Sequence, residues 1–310
     1  MTETGPSRLR IAIVGCGRVG AVLGAAWHRA GHSVTAVTAR SDTSRLRAEA
    51  LLPGTPIVDE SVVGEDADLV LVAVPDRMLG EVVDRLASSG AIRAGQFVVH
   101  PAGRYGLEVL ASATRVGAAP LALHPALPLT GTSMDLERLS GSVFGVTAPE
   151  NLRTVAEALV VELGAEPVWI PNEARNGYHA ALALAANYTM TLVNESIDLL
   201  ADAGAEDPAR ILGPLVRASV DTALERRDAG QTGPITRGDG STVASHMAWL
   251  ETRSPLAFQA YRALGNLTVD RLLAAGVIDT AQASDVLRGL EGSADLPIRG
   301  EARGEARGET

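Results

Sequence analysis

Short runs of branched apolar residues alternate with amphipathic stretches through the first half of the chain. Residues 9–14, 33–38, 57–58, 69–74, 96–100 and 118–123 read as strands. Between them, 19–30, 43–51, 78–87 and 107–111 carry helical spacing, the first stopped at Gly31 and the second by Pro53. The 69–74 run has no polar alternation, as expected for a strand covered on both faces. Strand–helix–strand repetition with short connections predicts a mostly parallel, doubly wound sheet. Residues 143–147 and 168–170 flank an amphipathic helix over 152–163 and are expected to extend that sheet.

After Pro171 the texture changes to nearly continuous helical periodicity. A long helix is predicted over 173–203. Asp207-Pro208 then supplies an N-cap with proline at the first helical position, and helices follow at 209–227, 242–252, 255–275 and 280–290. The domain reading is a flexible leader over 1–8, an α/β nucleotide-binding domain over 9–171 and an all-α domain over 172–292. The Arg-Gly-Glu-Ala repeat in 293–310 is too poor in apolar residues to offset its ordering entropy and reads as a disordered tail.

Composition narrows the chemistry. The 310 residues carry 46% hydrophobic side chains and a net charge of −10, which suits a globular protein and offers no basic footprint for nucleic acid or an anionic membrane. The early apolar run is broken by Arg18 and several glycines, and no stretch reaches a membrane span. A single cysteine excludes an internal disulfide and a Cys-based metal site, and no metal is expected; a cytoplasmic location is the natural expectation. All 27 basic residues are arginine. Lysine Schiff bases, a phosphate-binding lysine and a catalytic ammonium are therefore excluded.

Gly15-Cys16-Gly17-Arg18-Val19-Gly20 follows the first predicted strand and opens a helix. In that context the glycines give a tight turn, bare backbone against a pyrophosphate and close helix–strand contact, while the helix N-terminus presents free N–H groups. An NAD site would place an acid at the end of the second strand. Arg40, Ser41 and Arg45 stand there instead and suit a 2′-phosphate, so NADP(H) is the expected cofactor. Asp42 is the discordant charge, able to cap the next helix or to repel phosphate. Val74-Pro75-Asp76 ends the fourth predicted strand and His100-Pro101-Ala102-Gly103 the next, both facing the nicotinamide half; Asp76 serves equally as a helix cap.

Histidines and carboxylates are the general acids left near neutral pH. His28 and His32 are read as surface groups, whereas His100 and His124 end strands at the reactive edge. On the long helix, Asn176, Asn187, Asn194 and Asp198 share a polar stripe roughly 40° wide, with His179 about 80° to one side. That stripe is either the wet face or a cleft lining, with His179 and Asn187 the better cleft candidates. Arg237 can clamp a carboxylate with Asp239 or His246 beside it, or the segment can be a connector in which Asp239 or Ser241 caps a helix.

The phosphate loop, Val74-Pro75-Asp76, His100 to Gly103, His124-Pro125, Tyr178-His179 with Asn187-Tyr188, and Gly233 to Asp239 with His246 occur in that order. Together they resemble the Rossmann-like family with a C-terminal domain of unknown function 2520. That family is similar to prephenate dehydrogenase, pyrroline-5-carboxylate reductase, ketopantoate reductase and deazaflavin-dependent NADP reductase. The resemblance implies a Rossmann-type domain followed by an all-α domain like the C-terminal part of 6-phosphogluconate dehydrogenase, a homodimer formed through it, and a site between the two. His124 is similar to a prephenate dehydrogenase catalytic histidine; His179 and Asn187 are similar to the lysine and asparagine positions of ketopantoate reductases. The expected function is NADP(H)-dependent hydride transfer to or from a small carboxylate-bearing oxo or imino substrate, with ketopantoate the specific candidate. His124 or His179 exchanges the proton, Asn187 holds the carbonyl oxygen and Arg237 binds the carboxylate. A non-catalytic NADP(H)-binding sensor is the competing class.

Overall fold

The structure, a computed structural model, describes residues 8–291. The proposed tail lies outside them, as does the leader apart from Arg8. Seven strands form one sheet: β1 (Arg10–Val14), β2 (Ser33–Thr38), β3 (Leu69–Val72), β4 (Phe97–His100), β5 (Ala119–Pro125), β6 (Val143–Thr147) and β7 (Glu166–Trp169). Their order is β2-β1-β3-β4-β5-β6-β7, parallel throughout except where β6 runs antiparallel to β5. Because the chain leaves β1 first for one side and then for the other, the carboxyl ends of β1 and β3 enclose a crevice.

Two correspondences change. Residues 57–58 make only a bridge from Ile57 to Val37, so Val74-Pro75-Asp76 closes the third strand of the sheet, not a fourth. Pro53, Gly54 and Pro56 leave too little extended chain there for a strand. His32 is buried rather than at the surface: its Nδ1 accepts from the Leu9 N–H at 2.9 Å, and its Nε2 lies 2.7 Å from Glu162.

Helices α1 (Arg18–Arg29), α2 (Asp42–Leu51), α3 (Asp76–Ser89), α4 (Ala111–Arg115), α5 (Met134–Leu139) and α6 (Arg153–Val161) cover the two faces. One core joins Ile13 and Leu71 of the sheet to Trp27 of α1 and Leu159 of α6, and the Trp27 indole donates to the Leu159 carbonyl at 2.9 Å. The opposite core packs Val70 and Val98 on Leu79 and Val82 of α3. Burial on both faces is why these strands read as unbroken apolar runs.

Five helices follow: α7 (Arg175–Asp202), α8 (Pro208–Arg226), α9 (Gly240–Arg253), α10 (Pro255–Ala274) and α11 (Thr280–Glu291). The chain divides into two compact units at 188/189, inside α7. The first turns of α7 thus belong to the same compact unit as the sheet. In the second unit, Val243 and Met247 of α9, Val269 and Leu272 of α10, and Val286 and Leu290 of α11 form a separate core.

Candidate active site

The glycine loop holds its shape through backbone geometry. Gly15 has φ of +93°, which L side chains rarely adopt, and a Cβ there would sit 2.7 Å from the Ala73 carbonyl oxygen. Its N–H donates to the Thr38 hydroxyl at 2.9 Å, tying β1 to the end of β2. A Cβ on Gly20 would run into the Gly15 carbonyl, so α1 can lie this close to the turn only with glycine. Gly17 differs: a Cβ there meets nothing within 4 Å. Gly17 is also the N-cap of α1 and supplies no side-chain cap, so a twelve-residue helix starts uncapped beside the open space at Gly17.

That space is a cavity of about 290 Å³ lined by Gly15, Gly17, Thr38, Ser41, Val74 and Pro75, among others. A neighbouring hollow of about 720 Å³ is lined by Thr38, Arg40, Arg45, Ile57, Val58 and Glu60, among others. Bare backbone, an uncapped helix start and cations at the end of β2 fit a dinucleotide. Arg18 and Val19 begin α1, and Asp76 occupies the first position of α3. Ser41 has a second occupation: its hydroxyl accepts from the Ser44 N–H as N-cap of α2. Arg40 donates to Glu60 at 2.5 Å, a partner the sequence reading did not include.

The second cluster lies where β4, β5 and α7 converge. His124, at the end of β5, pairs in register with Gly145 of β6. A Cβ on Gly145 would touch the Tyr178 ring at 2.6 Å, so glycine makes room for that phenol over the sheet. The Tyr178 hydroxyl lies 2.9 Å from His124 Nδ1. His179, the next residue, has its ring centroid 6.0 Å from that of His124, edge to face. A Cβ on Gly103 would meet His179 Cδ2 at 2.5 Å and His124 Nε2 at 2.9 Å. Gly103 is therefore the floor on which both imidazoles rest.

Arg175 explains why α7 starts here. It is 1% exposed, and its three donor nitrogens reach the carbonyls of Tyr105 at 2.9 Å, Gly145 at 2.9 Å and Ala102 at 3.2 Å. It bolts the 101–105 loop and β6 to the helix, and no carboxylate lies within ion-pair distance of it among the described residues. Burial lowers its own pKa to about 10, so it stays charged at neutral pH. Burial, and then the nearby Arg175 charge, pushes His124 down to about 4. The Tyr178 phenol is pushed up by burial.

His100 is fully buried, with Nε2 at 2.9 Å from the Gly106 carbonyl and Nδ1 accepting from the Ala102 N–H at 3.2 Å. Both nitrogens are used within its own loop, so the side chain shapes the Ala102–Gly103 backbone and has no free surface for a cofactor. Burial lowers its pKa to about 4. The first unit thus brings together His124, His179 and Gly103, with Asn187 two turns further along α7. Arg175 and Tyr178 join them as groups that sequence reasoning did not assign; the small-residue positions Gly103 and Gly145 were the available signal.

Arg237, Asp239 and His246 belong to the second unit. Arg237 is exposed in the 233–238 loop. Asp239 is the N-cap of α9, accepting from the Thr242 N–H at 3.0 Å and from the hydroxyls of Ser241 and Thr242 at 2.9 and 2.7 Å. Those bonds hold its carboxyl down at about 2. His246 Nδ1 lies 2.9 Å from the Tyr261 hydroxyl, at the edge of an apolar hollow that includes Trp249.

Residues 1–125 match the Rossmann-like domain, and residues 142–268 match the Domain of unknown function (DUF2520). No curated protein matches the chain. Among solved structures, a Bacteroides fragilis protein provisionally named an NADP oxidoreductase is 19% identical, covering 84% of this chain and 98% of its own, with a TM-score of 0.71. A Thermotoga maritima protein is 21% identical over 84% of this chain and 99% of its own, with a TM-score of 0.62. The reductive aminase from Aspergillus terreus, solved with NADPH and ethyl levulinate, is 14% identical over 90% of this chain and 99% of its own, with a TM-score of 0.61. At these identities the likeness is one of fold.

Proposed function

We propose that this chain, a Rossmann-like domain joined to a DUF2520 domain, is an NADP(H)-dependent oxidoreductase acting on a small carboxylate-bearing oxo substrate. The observation that carries the reading is the His124–Tyr178–His179 cluster on the Gly103 floor, at the same sheet edge as the uncapped phosphate loop. Gly15, Gly17, Gly20, Arg18, Val19, Val74 and Pro75, with Arg40, Ser41 and Arg45 toward the ribose, would hold NADP(H), which would supply or accept the hydride when bound.

His124 is neutral at physiological pH, so it acts as a hydrogen-bond donor to the reacting oxygen or takes up its proton in the oxidative direction. Tyr178 fixes the His124 ring and connects it to a second exchangeable proton. The buried Arg175 charge favours negative charge developing on oxygen and opposes a cationic iminium, which supports an oxo over an imino substrate. His179 flanks the same floor as the second candidate for proton exchange. Asn187 is proposed to hold the substrate oxygen and Arg237 its carboxylate. Asp239 and His246 are proposed to support Arg237, Asp239 doing so through the cap that sets the start of α9. Ketopantoate is the specific candidate.

A homodimer through the helical unit belongs to the same proposal. The 28 residues of α7 bury only Arg175, while Leu184, Tyr188 and Met190 stand exposed; α8 buries only Leu212 and exposes Leu215 and Leu224. Such faces suit a second copy of the chain. Among the described residues, no helix is long and apolar enough to cross a membrane.

The test is NADPH oxidation against a panel of 2-oxo acids that includes ketopantoate, with His124→Ala and His179→Ala compared to wild type. Turnover that collapses in at least one variant supports the mechanism. Unchanged turnover in both discards it, and NADPH binding without turnover on any substrate favours the sensor reading.

A further inference from the structure

Between the Val37–Ile57 bridge and β3, the chain places two acids, Asp59 and Glu60, in the wall of the ribose hollow, and Glu60 is the one held by arginines. Glu60 Oε1 accepts from Arg40 Nη2 at 2.5 Å, and its Oε2 accepts from Arg85 Nη2 of α3 at 3.1 Å. The Glu60 side chain is only 20% exposed, against 65% for Arg40. The acid is thus the fixed partner, anchored from behind by Arg85, and Arg40 is the mobile one drawn to it. Glu60 lines both the hollow with Arg40 and Arg45 and the cavity beside Gly15 and Gly17.

We propose that Glu60 is a specificity-determining residue that restrains the preference for NADPH over NADH. The proposal rests on the dinucleotide reading above. A ribose 2′-hydroxyl can donate to the Glu60 carboxylate directly, as an acid at the end of a second strand does in an NAD site. A 2′-phosphate is repelled by that carboxylate and must also draw Arg40 away from it before a guanidinium can bind it. Arg45 and Asp59 lie on the same wall, neither in an ion pair among the described residues, so Arg45 is the guanidinium left to meet the phosphate. The combined site therefore accepts both nucleotides, with NADPH favoured by less than two free arginines would give. Specificity here comes from a repulsive element set beside an attractive one, and the repulsive element arrives from a different loop than the attractive one.

The experiment is calorimetric titration of the full-length protein with NADPH and with NADH, for wild type, Glu60→Gln and Arg40→Gln. Glu60→Gln keeps the side-chain volume and removes the charge, so the Kd(NADH)/Kd(NADPH) ratio is expected to rise about tenfold, mostly through tighter NADPH binding. Arg40→Gln is expected to lower the ratio by a similar factor. If Glu60→Gln loses its thermal transition, Glu60→Asp takes its place, since the shorter arm no longer reaches Arg40 and the ratio should rise by a smaller amount. Both nucleotides binding with an unchanged ratio in a folded Glu60 variant overturns the proposal and leaves the dinucleotide reading intact. Neither nucleotide binding to wild type removes both.

Discussion

The hydroxyl of Tyr178 on the first turn of α7 lies 2.9 Å from Nδ1 of His124 at the end of β5. The two residues are 54 positions apart, and their rings meet edge to face with centroids 5.6 Å apart. With the phenol donating, Nδ1 is the acceptor and the imidazole proton resides on Nε2, the nitrogen that faces Gly103. Tyr178→Phe keeps the ring and removes that constraint. We expect kcat to fall on the order of 10- to 100-fold with KM and melting temperature little changed. Steady-state kinetics with calorimetric melting check this; a stability loss without a kcat effect would assign Tyr178 to packing alone.

Gly103→Ala places a methyl group 2.5 Å from His179 Cδ2 and 2.9 Å from His124 Nε2. Both imidazoles must shift. Overpacking of this kind costs about 1–3 kcal/mol, and turnover should be lost while NADPH affinity, set at the glycine loop, is retained. Urea denaturation and a nucleotide titration separate the two effects. Retained turnover would remove Gly103 from the site.

How much of this was legible in advance follows from how local each determinant is. The parallel sheet was visible because its strands are buried on both faces, and the glycine loop because three glycines at fixed spacing follow a strand. Helix α5 and the antiparallel direction of β6 were not visible: six residues hold too little periodicity, and strand direction is fixed by packing. The 57–58 run has strand-forming residues, yet its flanking prolines reduce it to one bridge. The site divides the same way. His124 and His179 stood out by residue type. Arg175 looked like one of 27 arginines until carbonyls of the 101–105 loop and of β6 closed on it, and Glu60 resembled any loop acid until Arg40 and Arg85 converged on it.

Arg175→Met retains much of the side-chain volume and removes the guanidinium bonds to the carbonyls of Tyr105, Gly145 and Ala102, of which Gly145 keeps its place in the β5–β6 ladder. A buried carbonyl left unsatisfied costs about 1–3 kcal/mol, so a loss of about 2 kcal/mol or more is expected in chemical denaturation. The pKa of His124 should rise only part of the way from about 4 toward its ordinary value, because burial outweighs the Arg175 charge. Histidine proton NMR against pH reads that shift. A stability unchanged from wild type would show that the loop does not depend on the guanidinium.

His100 and His124 are both held near 4, well below the 6.5 of an unperturbed histidine. As pH falls through 6.5 the unfolded chain takes up these two protons while the folded chain does not. Stability is therefore unaffected by them above about pH 7 and is lost between about 6.5 and 4, at up to about 1.4 kcal/mol per pH unit for each histidine. The half-buried His124 contributes less than the enclosed His100. Asp68, Asp135 and Asp239, whose carboxyls are shifted downward, begin to act only below about pH 5, so the slope between about 6.5 and 5 reports the histidines. Denaturation midpoints at several pH values should show the slope, and His124→Gln should reduce it. A flat profile across that range contradicts the burial of both imidazoles.

Gly17 gives the most direct access to the claim that a dinucleotide lies on the first βα turn. A Cβ there meets nothing within 4 Å, and the residue has an ordinary φ of −80°, so Gly17→Asp should fold as wild type does. Its carboxylate would stand at the uncapped start of α1, where the phosphates are expected. Titrating both proteins with NADPH by calorimetry should give clear binding for wild type and at least about a hundredfold weaker binding for Gly17→Asp, at equal melting temperature. Equal affinity in the two proteins, or no binding to wild type, would contradict it.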